Sequence, residues 1–192
     1  MSTRTLTLII VLILVTAGLV WIATATVPYP TTSTNRQAIV PKVTPPVAQT
    51  VLRFDDLSMA TNSAYTLPII IQTGKNLVTA VQLDLLYDPK VLSNVKMEQG
   101  TFFTNPVTLL NSTDAATGRV SYALGVGPQD HGKKGEDIVA IIRFNTKSVY
   151  PQATSISFLP KTLVTAEGIA QSVLKSSIPS QFVIGRNVRY TK

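Results

Sequence analysis

The stretch Val78-Thr79-Ala80-Val81-Gln82-Leu83-Asp84-Leu85-Leu86-Tyr87-Asp88-Pro89 alternates with a period of two. Val81, Leu83, Leu85 and Tyr87 fall on one side and Ala80, Gln82, Asp84 and Leu86 on the other, which is the pattern of a half-buried strand. Asp88-Pro89 ends it, because proline has no N–H for a ladder and restricts the residue before it.

The same pattern continues in both directions. Leu67, Ile69 and Ile71 alternate ahead of a Gly74-Lys75-Asn76 turn. Further strands are predicted over Val91–Met97, Val107–Asn111, Arg119–Gly125, Ile138–Lys147, Thr154–Phe158, Thr162–Thr165, Ser172–Leu174 and Gln181–Ile184. Turn chemistry separates them at Asp114 to Gly118, Gly125-Val126-Gly127-Pro128, Gly132 to Gly135 and Glu167-Gly168. No amphipathic helix of three turns interrupts the series. The reading is all-β: a jelly-roll β-sandwich of two antiparallel sheets over residues 51–185. Val81, Leu83, Leu85, Tyr87, Val120, Tyr122, Leu124, Ile142 and Phe144 are expected between the sheets. Some 135 residues bury roughly two thirds of their unfolded surface, enough for an independent core.

Ahead of the sandwich the text changes twice. Residues 1–27 read as a signal-anchor or a signal peptide: Arg4 precedes a run from Leu6 to Val27 without a charge. That run is about 22 residues, long enough to cross a bilayer at ~1.5 Å per residue. Its positive side is N-terminal, so the remainder is expected outside the cytoplasm, on either the anchored or the cleaved alternative. Ala23-Thr24-Ala25 fits a cleavage site, whereas the length of the apolar stretch fits an uncleaved anchor. Residues 28–50 are Pro- and Thr-rich, with Pro28, Pro30, Pro41, Pro45, Pro46 and Thr31-Thr32-Ser33-Thr34, a composition suited to a flexible, protease-labile spacer. Residues 186–192 form a basic tail.

Composition removes most chemistry. The 192 residues include no cysteine and one histidine, His131, which excludes thiolate metal sites, disulfides, a cysteine nucleophile and a multi-histidine centre. The net charge of +7 is spread over single cations, without the patch and base-reading elements that nucleic acid requires, so no nucleic-acid partner is expected. The carboxylates fall mostly in turns, where they cap backbone. Asp130-His131 beside Glu136-Asp137 resembles a metal corner, but the intervening Gly132-Lys133-Lys134-Gly135 reads as a solvated loop. Asn111-Ser112-Thr113 matches a glycosylation acceptor by pattern. No catalytic constellation, no metal site and no cofactor follow from the sequence; the chain reads as a non-enzyme.

The order of several blocks resembles the cohesin domain and its related carbohydrate-binding modules. Thr73-Gly74 and Asn76 lead into Val78 to Pro89, followed by Val91-Leu92, Glu98-Gln99-Gly100-Thr101-Phe102-Phe103 and Asn105-Pro106. Gly118-Arg119-Val120-Ser121-Tyr122-Ala123-Leu124-Gly125 and Ala140-Ile141-Ile142-Arg143-Phe144 complete the set. Phe102, Phe103, Phe144 and Phe158 read as core plugs. The resemblance implies a jelly roll and a non-catalytic adhesive role, since cohesins bind dockerin modules through one sheet face in assemblies for polysaccharide breakdown.

On that resemblance the candidate partner-binding residues are Ala80, Gln82, Asp84 and Leu86, with Ser121 and Ala123 projecting from the neighbouring strand. Family members carry Asn and Asp outward ahead of the Tyr-Asp-Pro turn, where this chain has Ala80 and Gln82. Two partners stay open: a protein, dockerin-like or another surface protein, and a polysaccharide. Sugar sites stack rings on exposed aromatics, for which Tyr65, Tyr122 and Tyr150 are the candidates, while Trp21 belongs to the membrane segment.

Overall fold

The computed structural model describes residues 48–61 and 64–185. The expected membrane segment, the basic tail and nearly all of the spacer lie outside the described residues. Among those described, no helix is long and apolar enough to cross a membrane.

Among the described residues twelve strands form two sheets: β1 (Thr50–Phe54), β2 (Ser58–Thr61), β3 (Ala64–Gln72), β4 (Val78–Tyr87), β5 (Leu92–Gln99), β6 (Val107–Asp114), β7 (Arg119–Gly125), β8 (Glu136–Thr146), β9 (Gln152–Phe158), β10 (Leu163–Ala166), β11 (Leu174–Ile178) and β12 (Ser180–Ile184). The first sheet runs β11-β1-β3-β8-β5 with β2 on β3; the second runs β12-β9-β4-β7-β6 with β10 on β4. Pairing is antiparallel except for β1 with β11, which run parallel. The expected all-β sandwich of two sheets is found, with this one parallel pair among antiparallel ones. Parallel neighbours need a long crossover, and here almost the whole domain lies between the first strand and the eleventh. β1 and β2 were not among the predicted strands, and β11 starts at Leu174 rather than Ser172. Ser172 Oγ instead accepts the amides of Val164 at 3.1 Å and Leu174 at 3.3 Å.

The period-two reading of β4 holds on its inner side, where Val81, Leu83, Leu85 and Tyr87 are all buried. They meet Val120, Tyr122 and Leu124 of β7 and the facing Leu67, Ile69, Ile142 and Phe144 of the first sheet in one continuous core. Aromatic stacking ties the two layers through Phe144 on Phe182 and Phe54 on Phe158, and Tyr65 stacks on Phe144 within the first sheet. Phe102 and Phe103 are buried, while Phe158 is only partly so.

Two turns hold β4 in place. Asp88 Oδ1 accepts the Lys90 amide at 2.8 Å, and its carbonyl takes the amides of Val91 and Leu92, so Tyr87-Asp88-Pro89 is a capped turn. The β6–β7 hairpin closes on Asp114, whose oxygens accept Ala116 N, Thr117 N and Thr117 Oγ1. Gly118 ends that hairpin with φ of +73°, and an added Cβ would lie 2.1 Å from the Tyr87 carbonyl oxygen. Only glycine fits there.

Candidate functional site: the outer face of the second sheet

β4 sits at the centre of the second sheet, and its register fixes what shares its outer face. Gln82 lies opposite Ala123, Asp84 opposite Ser121 and Leu86 opposite Arg119 on β7. On the far side of β7, Leu110, Ser112 and Asp114 of β6 lie opposite Ala123, Ser121 and Arg119. Residues directly opposite project to the same side, so these side chains form one surface. The structure therefore brings all six predicted residues together.

They do not present themselves equally. Leu86 is 41% exposed, Ala80, Gln82 and Ser121 are half-buried, and Ala123 is buried. Asp84 is a correction: it faces the outer side, yet it is only 1% exposed. Arg119 lies over it, donating from Nε to Oδ1 at 2.9 Å and from Nη2 to Oδ2, and Ser121 Oγ donates to Oδ1 at 3.0 Å. The Arg119 hydrogen bonds hold the Asp84 carboxyl below the usual carboxylate range, against the opposing effect of burial, with Ser121 assisting. The same contact raises the Arg119 guanidinium.

The other edge of β4 is divided, with β10 along Val78 to Gln82 and β9 along Leu85 to Tyr87. Asp84 sits at the gap. Its carbonyl takes the Leu159 amide at 2.7 Å, and Thr162 Oγ1 both accepts the Asp84 amide and donates to the Asp84 carbonyl. One threonine hydroxyl thus stands in for the missing strand, and buried backbone stays satisfied. Gln82 Nε2 donates to the Lys161 carbonyl at 3.1 Å, which fixes the corner between β9 and β10 against the face.

Sequence reasoning missed Arg119, Lys161 and Leu110 as members of this face. Arg119 was counted among scattered cations, and its partner lies 35 positions away; only the β4–β7 register joins them. Leu110 is 43% exposed and Leu109, at a bulge in β6, is 65% exposed. Every residue of β6 is exposed.

The remaining candidates separate from this surface. Tyr65 is buried with its hydroxyl donating to the Gly185 carbonyl at 2.9 Å, and Tyr122 is buried between the sheets, so neither offers a ring to a sugar. Among the described residues Tyr150 is the one large aromatic that is fully exposed, and no row of rings exists. The Asp130 and Glu136 region gathers no metal-binding cluster among the described residues. His131 instead faces Glu167 at 3.5 Å, and Asp137 takes Thr101 Oγ1 at 2.6 Å. A cavity of about 490 Å³ opens beside that loop, lined by Phe103, Val126, His131, Lys133 and Lys134 among others. Lys133 there is already placed over the Phe102 ring and near Asp137.

Solved structures with this fold are found among cohesin modules of Acetivibrio cellulolyticus. The third cohesin of ScaC, solved in complex with the ScaB dockerin, is 13% identical with a TM-score of 0.58, covering 69% of this chain and 96% of that one. The sixth cohesin of scaffoldin B, solved with a Cel5 dockerin mutant, is 12% identical with a TM-score of 0.55, covering 71% and 97%. The second type II cohesin module of the adaptor scaffoldin ScaA is 12% identical with a TM-score of 0.52, covering 70% and 96%. At these identities the likeness speaks to the fold alone. No curated protein matches the sequence. The family model of the cohesin domain, however, matches residues 50–179, most of the described sandwich and more than half of the chain. Cohesin domains are non-catalytic binding modules, and the chain belongs to that family.

Proposed function

We propose that this chain is a membrane-tethered, extracytoplasmic and non-catalytic cohesin module that takes a dockerin-like protein partner through the outer face of its second sheet. The observation that carries the reading is that face itself. On it Leu86 and Leu110 stand exposed around small residues and a carboxylate, Asp84, sunk beneath Arg119. Interface cores are depleted of Lys, Glu and Asp but favour apolar anchors and arginine. The family membership supports a protein partner, and among the described residues no exposed row of aromatic rings offers a polysaccharide a stacking surface. The uncharged run from Leu6 to Val27 supports the membrane attachment, and the proline-rich spacer supports a domain held away from the bilayer.

The test is a binding panel on the full chain, with dockerin modules in one arm and soluble polysaccharides in the other. A dockerin bound by the wild type and lost with Leu86→Arg is the expected result. Retention on glycans alone, unchanged by Leu86→Arg, replaces this reading with a carbohydrate-binding module. Placement is tested separately. Protease added to intact cells should remove the domain, and full protection refutes the extracytoplasmic assignment.

A further inference from the structure

We propose that Arg119 is the polar anchor of this face, and that the segment it takes from a protein partner presents a carboxylate beside an apolar side chain. The inference rests on the docking reading above and adds the partner's chemistry to it. Four charged residues belong to the face and its margins: Asp84, Asp114, Arg119 and Lys161. Asp84 is sunk beneath Arg119, whereas Asp114 is exposed and held by its own turn. Asp84 has its two oxygens occupied by Arg119 and Ser121, and its side chain is 2% exposed. Asp114 spends its oxygens on the amides of Ala116 and Thr117 and on the Thr117 hydroxyl. Both cations face out. The Arg119 side chain is 43% exposed, and Lys161 is exposed at the β9–β10 corner. What an approaching surface meets is therefore two outward cations and one exposed carboxylate, Asp114, whose oxygens are already taken by its own turn.

The guanidinium is also pre-organised. Nε and Nη2 are held by Asp84, while Nη1 has no partner among the described residues. A fork fixed by two charged hydrogen bonds gives up little further side-chain freedom on binding, unlike a free lysine. Leu86 lies directly opposite Arg119 on β4, so an exposed apolar anchor and a fixed cation are cross-strand neighbours. Their proximity sets the pattern demanded of the partner: an acidic residue next to an apolar one. Asp84 is then a positioning residue that aims Arg119 and does not itself meet the partner.

The test selects binders to the immobilised full chain from a displayed library of helical hairpins, with parallel selection on Arg119→Glu. Binders that lose the wild type when Leu86→Arg is introduced define the face. Among these, Asp and Glu should be enriched, and Arg119→Gln should weaken binding about 10- to 100-fold. Selection on Arg119→Glu should enrich Lys and Arg instead, a reversal that a merely structural role does not produce. Asp84→Asn should keep the acidic preference, with a loss within about 10-fold, as expected when only the aim of the guanidinium is relaxed. Because Arg119→Gln strands a buried carboxylate, the double variant Arg119→Gln/Asp84→Asn serves as the folded control and should bind as weakly. Leu86-dependent binders with no acidic enrichment, or indifferent to Arg119, overturn the proposal and leave the docking face standing. A selection with no Leu86-dependent binders at all overturns the face and this inference with it.

Discussion

The two sheets carry arginine–carboxylate pairs on their outer faces, but they use them in opposite ways. On the first sheet, Arg53 meets Glu136 at 2.8 Å and Arg143 meets Glu98 at 2.7 Å, with all four side chains between 39% and 50% exposed. The same strands carry Pro68, Ile138 and Ile141, which are only partly accessible. On the second sheet the carboxylate of Asp84 is sunk below its arginine, and the apolar residues Leu86 and Leu110 stay uncovered. Solvated pairs like those of the first sheet contribute little to stability and mask apolar surface. A pair with one buried member must stay intact, because the carboxylate has no water to fall back on. The first face is finished by its own charges; the second is left open for something else.

The scale for any effect on these faces comes from the core they share. Leu83 lies between Gln82 and Asp84 in sequence but on the inner side of β4, with no exposure. Leu83→Ala should cost about 2–5 kcal/mol, through lost transfer energy and the cavity left behind. Chemical denaturation measures it. A cost no greater than that of a surface substitution would put the inner and outer sides of β4 in the wrong register.

The next effect separates the two faces directly. Arg119→Met strands the Asp84 carboxylate and should lower the melting temperature clearly, whereas Arg143→Met removes an exposed pair and should leave it nearly unchanged. Calorimetry on the two variants side by side gives the answer. Equal, small shifts would mean that Asp84 finds water when Arg119 is gone, and the contrast between the faces would collapse.

The sandwich was legible in the sequence because alternation survives wherever one side of a strand is buried, as in β4 and β7. It faded where alternation did. β11 reads LKSSI, with a single buried-type position at each end, and β1 follows directly on the spacer and owes its place to pairing with β3 and β11. Period two put Ala80, Gln82, Asp84 and Leu86 on one side, whereas Ser121 and Ala123 joined them only through the family resemblance. What alternation does not carry is depth. Gln82, Asp84 and Leu86 share one side by sequence, but Asp84 is buried because Arg119 reaches it across the β4–β7 register, a contact no local pattern encodes.

Acid titration approaches the same pair from the carboxylate. Arg119 and then Ser121 hold Asp84 below its ordinary range. A depressed carboxyl contributes stability that is fully present above its unfolded pKa of about 4 and is lost as pH falls from there through the lower folded value. Asp84→Asn should therefore be less stable than the wild type at neutral pH, and the difference should shrink steadily below about pH 4. Denaturant midpoints measured across that range test it. A difference that stays constant to low pH would show that the carboxylate's charge is not what Arg119 holds.

The smallest effect on stability belongs to Leu86, and it is the one that most sharpens the comparison. Leu86 is apolar and 41% exposed on the central strand of its sheet, so folding gains little from it. Leu86→Ser should change stability by no more than about 0.5 kcal/mol, as for other surface positions away from special features. It should nonetheless weaken a partner at the docking face by a large factor, since anchors near the centre of an interface dominate its energy. The matched substitution on the first sheet is Ile141→Ser, at a position partly covered beside Arg143 and Glu98. There the order should invert, with a larger loss of stability and no loss of binding. Measuring both quantities for both variants separates a residue kept for folding from one kept for a partner. If Leu86→Ser destabilises as much as Ile141→Ser and binding falls only with stability, the second face is no more open than the first.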